Sequence, residues 1–241
     1  MDILNFILFG KKFGICAFCG RKVKLSDSVF NNGHICVCRE CNSFIKTAPF
    51  NFLLEGTEHV SFVVSPLYYT PLVRSAIHKL KFSGTTQIAE ALGYYINTYI
   101  SVFESSDESL LSDFDLLVPV PLSRRRENER GYNQAKLLAD EISKHFNIKM
   151  NDKILKKVKD TPPQSTLSPK ERKHNLDGAY KCNKDVKGKR ILLVDDVFTT
   201  GSTLQHCAKE LIDNGALSVS AITASYAAFK EHSQAYNELF S

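Results

Sequence analysis

The chain has 241 residues, of which 43% are hydrophobic and 24% charged, and its formal net charge is +5 at pH 7. This composition excludes an intrinsically disordered chain, and no apolar run approaches the roughly 20 residues of a membrane-spanning helix. The net charge is too small to indicate nucleic-acid binding by itself.

The first nine residues, MDILNFILF, are apolar but lack the features of a secretory signal. They include Asp2, and neither a basic leader nor a small-residue cleavage site accompanies them. We therefore expect a cytoplasmic protein without membrane insertion. In a reducing compartment, clustered cysteines indicate metal binding or catalysis before disulfides.

Four cysteines have the spacing of a four-thiolate zinc site. Each of two C-x2-C pairs forms a knuckle whose sulfurs reach one ion from the same side, and the four residues are Cys16, Cys19, Cys38 and Cys41. Four thiolates leave no position for water, so the predicted zinc is structural. Cys36 is expected to be a neighbour of the site, although with some rearrangement it could replace Cys38. We assign residues 1–56 to this zinc-binding module and 57–241 to a larger domain.

The larger domain begins with alternating helical and strand patterns. The predicted elements are helices over 72–80, 88–99 and 132–146 and a buried strand over 114–120. The first two helices are separated at Ser83-Gly84. Residues 160–180 contain three prolines and no regular spacing of apolar residues, which predicts a long loop. Long loops in compact domains are often functional.

The C-terminal part predicts a strand, a helix and a second strand, over 190–194, 203–214 and 217–225. This order is a βαβ unit, so we predict an α/β domain with a mainly parallel sheet. Ser202 or Thr203 is expected to cap the helix, and Gly215 is expected to end it.

The segment between this strand and helix carries the sharpest functional signal. Asp195 and Asp196 follow the buried strand, at the edge where open α/β sheets bind ligands. Hydroxyl-bearing residues and a glycine come next, namely Thr199, Thr200, Gly201, Ser202 and Thr203. Hydroxyls and N–H groups at a helix start donate to phosphate, while carboxylates accept from ribose hydroxyls or hold hydrated Mg²⁺. The alternative is that the two acids only cap the strand and helix.

Three features carry a resemblance to a known family. The sequence ILLVDDVFTTGSTL at 191–204 resembles the phosphoribosyl pyrophosphate (PRPP) motif of type I phosphoribosyltransferases. The sequence VPVPLSRRRENERGYNQA at 118–135 resembles the signature of the ComF/GntX competence-protein family. A four-cysteine module ahead of a phosphoribosyltransferase domain is also similar to that family, so the resemblance covers essentially the whole chain.

The resemblance implies the type I phosphoribosyltransferase fold, with PRPP bound together with Mg²⁺. It places the pyrophosphate loop at Ser123 and Arg124. It also implies candidate substrate or anion contacts at six polar residues, which are Lys81, Arg130, Asn133, Gln134, Gln164 and Arg172. Asn133 and Gln134 either orient a substrate or cap a helix. No catalytic residue is identified, because positioning, Mg²⁺ and stabilisation of departing pyrophosphate supply most of the catalysis in such a transfer.

The resemblance leaves three functions open. One is a Mg²⁺-dependent phosphoribosyltransferase with an unidentified acceptor. Another is a non-catalytic protein that uses the same fold as a scaffold for single-stranded DNA, and the third is a GntX-type metabolic role. We interpret the chain as a PRPP-binding, phosphoribosyltransferase-like protein with a role in DNA uptake and natural transformation. A competence helicase is a partner that the family resemblance implies.

For single-stranded DNA, the sequence offers a basic stretch at 153–174 and several aromatic residues. Phe18, Phe30 and Phe44 are candidate stacking surfaces, and the alternative for each is a place in the core.

Overall fold

The computed structural model describes residues 13–48, 53–55, 58–104, 111–161 and 176–227, with the backbone alone at 53–55 and 103–104. Gln164, Arg172 and most of the predicted 160–180 loop lie outside these residues. None of the described helices is both long enough and apolar enough to cross a membrane.

The N-terminal part is a small sheet followed by a short helix. Its elements are β1 (Phe13–Cys16), β2 (Lys22–Lys24), β3 (Ser28–Asn31), β4 (Ile35–Cys38) and α1 (Arg39–Phe44). The strand order is β2-β1-β4-β3, and only the central pair, β1 and β4, is parallel. Because these two strands run side by side in the same direction, their C-terminal ends bring both cysteine pairs to one place.

The rest of the described chain alternates strands and helices. Its elements are β5 (Leu53–Glu55), β6 (Phe62–Val64), β7 (Leu67–Tyr68), α2 (Pro71–Phe82), α3 (Ile88–Glu104), β8 (Leu116–Pro119), α4 (Arg124–Arg130), α5 (Gln134–Phe146), β9 (Leu155–Lys157), β10 (Tyr180–Cys182), β11 (Arg190–Phe198), α6 (Ser202–Asp213) and β12 (Ser218–Tyr226). The main sheet has the order β5-β6-β12-β11-β8, with β7 also paired to β12. Every neighbouring pair is parallel except β5 and β6. The predicted α/β architecture with a mainly parallel sheet is confirmed.

Both faces of the main sheet are covered, as parallel sheets require. Leu192 and Val194 of β11 face a cluster that contains residues of α2, α3 and α5, whereas Ile191 and Leu193 face a second cluster with α6. The first cluster continues into the N-terminal part. Phe18 is fully buried there, with its ring 6.1 Å from that of Tyr95 on α3. Phe18 is therefore a core residue and not a stacking surface.

Strand β11 is longer than the sequence pattern predicts. Its pairing with β8 ends at Val194 opposite Pro119, whereas its pairing with β12 continues to Phe198 opposite Tyr226. Asp195 and Asp196 therefore lie within the strand, just beyond the last residue of β8. From Asp195 onward, β11 has no paired strand on the β8 side among the described residues.

The ends of the helices agree only in part with the predicted caps. Helix α2 ends at Phe82 before Gly84, which has a positive φ of 66°, as predicted. Helix α6 ends before Gly215, also as predicted, with φ 94°. The predicted cap at Ser202 or Thr203 is wrong, since Gly201 is the N-cap and the helix already begins at Ser202.

Candidate functional site

The four predicted zinc ligands form one cluster. Their sulfur atoms all lie within 4.8 Å of one another, and those of Cys19 and Cys38 are 4.0 Å apart. Tetrahedral zinc with Zn–S bonds of 2.3 Å separates its sulfurs by about 3.8 Å, so the donor set fits such an ion. Cys36 is outside the cluster, and burial raises the pKa of its thiol to about 11. This arrangement can hold a metal ion with four protein ligands.

A guanidinium supports the thiolate form of one ligand. Burial disfavours the Cys19 thiolate, but hydrogen bonds from Arg21 and from the neighbouring cysteines together lower the pKa of Cys19 to about 6. The first of these bonds runs from Arg21 Nε to the Cys19 sulfur and is 3.4 Å long. Arg21 is held in turn by an ion pair with Glu40. A ligand that is already ionised near neutral pH suits a metal site.

The second cluster of polar residues surrounds Asp196, which is only 3% exposed. Its carboxylate forms an ion pair with Lys81 of α2 and accepts a hydrogen bond of 3.2 Å from the Gln134 amide. Lys81, a predicted substrate or anion contact, thus has a protein carboxylate as its partner. Asp195 accepts from the backbone N–H of Asp196 at 2.8 Å.

The two acids differ in their ionisation. Burial and the neighbouring Asp196 raise the pKa of Asp195 well above its usual range. Burial also opposes the charge on Asp196, but the ammonium of Lys81 and the amide of Gln134 hold the pKa of Asp196 below its usual value. Asp196 is therefore the member of the pair that ionises more readily, and Lys81 balances its charge.

The loop after β11 is shaped by Gly201. This residue has φ 74°, and a Cβ there would lie 3.1 Å from the ring of Phe198. The hydroxyls of Thr200 and Ser202 are 2.8 Å apart. Since Gly201 gives α6 no side-chain cap, the loop presents hydroxyls together with the N–H groups of a helix start, which suits a phosphate.

The arginine-rich turn at α4 is tied to the residues before the undescribed 162–175 segment. Ser123 is buried, accepts from the backbone N–H of Arg126 as the N-cap of α4, and donates to Asp160 at 2.8 Å. Arg125 also pairs with Asp160. The Ser123 hydroxyl thus serves the local structure, whereas Arg124 is exposed. The sequence alone does not predict these contacts of Asp160 with Ser123 and Arg125. The position of Asp160 shortly before Pro162 and Pro163 is the sequence signal that points to it.

Asn133 and Gln134 have different surroundings. Asn133 is the N-cap of α5, and its amide also donates to the Val120 carbonyl at 2.9 Å. Of its two predicted roles, these contacts are those of a cap. Gln134 accepts from Arg130 and donates to Asp196, so a chain of contacts leads from Arg130 to the acid pair.

A cavity of about 800 Å³ adjoins the acid pair, and the partners of Asp196, Lys81 and Gln134, both line it. Other residues of its wall are Arg74, His78, Phe82, Arg126 and Arg130. Arg74, His78 and Phe82 are absent from the sequence predictions. They follow one another at intervals of four residues along α2. The signal for the first two is their spacing on one face of the predicted helix at 72–80, whereas Phe82 lies beyond the end of that prediction.

Comparisons with known proteins identify the family of the chain. Residues 133–236 match the family model of the phosphoribosyl transferase domain. The chain is 31% identical over 209 residues to the DNA utilization protein YhgH of Escherichia coli K12, covering 86% of this chain and 88% of that protein. It is 32% identical over 225 residues to competence protein ComFC of Bacillus subtilis, with coverage of 87% and 82%. It is also 31% identical over 206 residues to competence protein F of Haemophilus influenzae, with coverage of 83% and 85%.

Proposed function

Because this chain belongs to the ComF family, whose members carry a type I phosphoribosyltransferase domain, we propose that it binds PRPP and acts on single-stranded DNA during DNA uptake. The observation that carries the proposal is the Asp195–Asp196 pair with the Thr199–Thr203 loop behind it, at the end of a parallel strand and beside a cationic cavity. The printed names of the relatives, DNA utilization and competence proteins, support the part that concerns DNA.

The groups of the site match the parts of PRPP. The hydroxyls of Thr200 and Ser202 and the N–H groups at the start of α6 would donate to the 5′-phosphate. Asp195, which lies beyond the last residue that pairs with β8, would accept from a ribose hydroxyl. Arg126 and Arg130 line the cavity and would pair with the pyrophosphate.

The acid pair does not have the donor set of a resident Mg²⁺ site. Asp196 is neutralised by Lys81, and the raised pKa of Asp195 favours its protonated form. Hard divalent cations prefer ionised carboxylates and water. Magnesium would therefore arrive bound to the phosphates of PRPP, as part of the ligand.

The cysteine cluster would hold zinc, and its role would be structural. Four sulfur ligands leave no coordination position for a substrate or water. When bound, the ion supplies a cross-link between the β1 knuckle and the start of α1. Cys16, Cys19, Cys38 and Cys41 would be its ligands.

The test is calorimetric titration of Mg²⁺–PRPP into the zinc-loaded protein. We expect saturable binding to the wild type and at least a tenfold weaker affinity in the Asp195→Asn/Asp196→Asn variant, which keeps the shapes of both side chains. Asp213→Asn at the far end of α6 is the matched control and should bind like the wild type. Absence of binding to the wild type would overturn the proposal.

A further inference from the structure

One face of helix α2 forms an aromatic and cationic surface inside the cavity. Phe82 is 67% exposed, which is unusual for a side chain of its size. The His78 ring lies 4.7 Å from the Phe82 ring, and the Arg130 guanidinium lies 5.3 Å from it. We call these three residues, His78, Phe82 and Arg130, the stacking platform.

The wall of the cavity is strongly positive. It contains five cationic side chains and one carboxylate, which are Arg74, Lys81, Arg125, Arg126, Arg130 and Glu129. Two of the cations are balanced by carboxylates, since Lys81 pairs with Asp196 and Arg125 pairs with Asp160. The remaining positive charge attracts an anion, and Arg74 brings part of it to the same face of α2 as the stacking platform.

PRPP accounts for only part of this cavity. Its phosphates use cations, but neither its sugar nor its phosphates present an aromatic plane that would cover Phe82. Exposed aromatic rings and guanidinium groups are the groups on which nucleobases stack, and nearby arginines bind the phosphates between the bases. A volume of about 800 Å³ is in the range of sites that enclose a ligand of nucleotide size.

We propose that the cavity binds one nucleotide of a single DNA strand, with its base on the stacking platform and its phosphate at Arg74. The inference rests on the proposed function, because it places the DNA next to the acid pair. Base faces are accessible in a single strand and covered in a duplex, so the platform selects single-stranded DNA. In this proposal the bases stack on the stacking platform and not on Phe44 of the N-terminal module.

The absence of tryptophan from the sequence permits a direct test. Phe82→Trp introduces a single fluorophore into the platform. We expect an oligothymidylate of about 12 nucleotides to quench its fluorescence in a saturable way. Leu217→Trp is the matched control, since Leu217 is 68% exposed and lies just before β12, at the edge of the main sheet opposite the acid pair. The fluorescence of this variant should not change.

Two further arms identify the ligand. Thymidine monophosphate tests whether a free nucleotide suffices. If it quenches the Phe82→Trp fluorescence only at concentrations much higher than those needed for the oligonucleotide, the ligand is a strand. Phe44→Trp tests the competing surface, since Phe44 is 66% exposed. Quenching of Phe44→Trp without quenching of Phe82→Trp would overturn the inference.

Binding affinities of substituted proteins complete the test. We expect Phe82→Ala to weaken oligothymidylate binding roughly tenfold, Phe82→Tyr to retain it, and Arg74→Ala to reduce its salt dependence by about one phosphate contact. Each protein is also titrated with Mg²⁺–PRPP. Unchanged PRPP binding to Phe82→Ala supports a separate subsite, whereas equal loss of both ligands would overturn it. If PRPP fails to bind the wild type while the oligonucleotide binds, the PRPP proposal falls and the stacking platform stands.

Discussion

Asp196 depends on partners that come from two different helices. Lys81 of α2 supplies the opposite charge, and Gln134 of α5 supplies a hydrogen bond. A buried carboxylate without such partners is costly, because desolvation is not repaid. The site is therefore sensitive to the loss of a residue that need not touch a ligand.

Lys81→Met should destabilise the protein strongly. The substitution keeps the length of the side chain but leaves Asp196 without a counter-charge, and breaking a buried pair in this way costs about 3–5 kcal/mol. Urea unfolding measures the effect. Lys209→Met, which removes an exposed pair with Asp213, is the control and should cost less than about 1 kcal/mol. Equal losses in both variants would contradict the role given to Lys81.

The raised pKa of Asp195 predicts that the stability of the protein depends on pH. Because burial and Asp196 raise its pKa in the folded protein, the folded state binds this proton more tightly than the unfolded state. The contribution of Asp195 to the free energy of unfolding is thus complete below the pKa of its carboxyl in the unfolded state. It is lost as the pH rises towards the pKa of that carboxyl in the folded state. Asp195→Asn should gain stability relative to the wild type as the pH rises from about 4 to 7. Urea unfolding at several pH values checks this, and a constant difference would contradict it.

At the scale of elements, the sequence predicts the four long helices and the strands β8, β11 and β12, but not the short elements around them. Apolar spacing suffices for α2, α3, α5 and α6, since each buries apolar residues at helical intervals. The extension of β11 to Phe198 depends on its pairing with Tyr226 of β12, which no local pattern contains. The contact of Lys81 with Asp196 likewise depends on how α2 packs against the sheet. The sequence alone therefore does not predict that the acid pair lies within the strand and not after its end.

The turn between β11 and α6 predicts that Gly201→Ala affects both stability and binding. A non-glycine residue at φ 74° costs roughly 1–2 kcal/mol, and the new methyl group would also meet the Phe198 ring at 3.1 Å. Gly188→Ala is the matched control, since Gly188 has φ 70° with open space around it. We expect a larger loss of stability in urea and weaker PRPP binding for Gly201→Ala alone. A similar loss in both variants would show that the contact with Phe198 does not matter.

At the scale of the whole molecule, the N-terminal module and the main sheet are joined by shared contacts. The core cluster is continuous between them. The Lys79 ammonium donates to the Phe18 carbonyl at 3.0 Å, and the Tyr95 hydroxyl donates to the Asn42 side chain at 2.8 Å. The division into 1–56 and 57–241 stays a prediction about the chain, and these contacts predict that its two parts unfold together.

Removal of the proposed zinc ion should therefore lower the melting temperature of the entire protein. A strong chelator, or Cys38→Ser, removes the cross-link on which the small sheet depends. We expect one calorimetric transition at a lower temperature, not the loss of a minor transition followed by an unchanged one. Cys182→Ser, outside the cysteine cluster, controls for the loss of a thiol. Two independent transitions in the metal-free protein would contradict the coupling.

The last turn of α2 has two lysines with different tasks. Lys79 reaches the N-terminal module, and Lys81 reaches the acid pair. One residue inserted between them would rotate the lysines by about 100° relative to each other, so one of the two contacts would be lost. The fold should therefore tolerate an amino-acid replacement at the exposed position Phe82 of this turn but not a change in the length of the turn. Insertions and deletions among related sequences should fall after Phe82, at the Ser83–Gly84 turn.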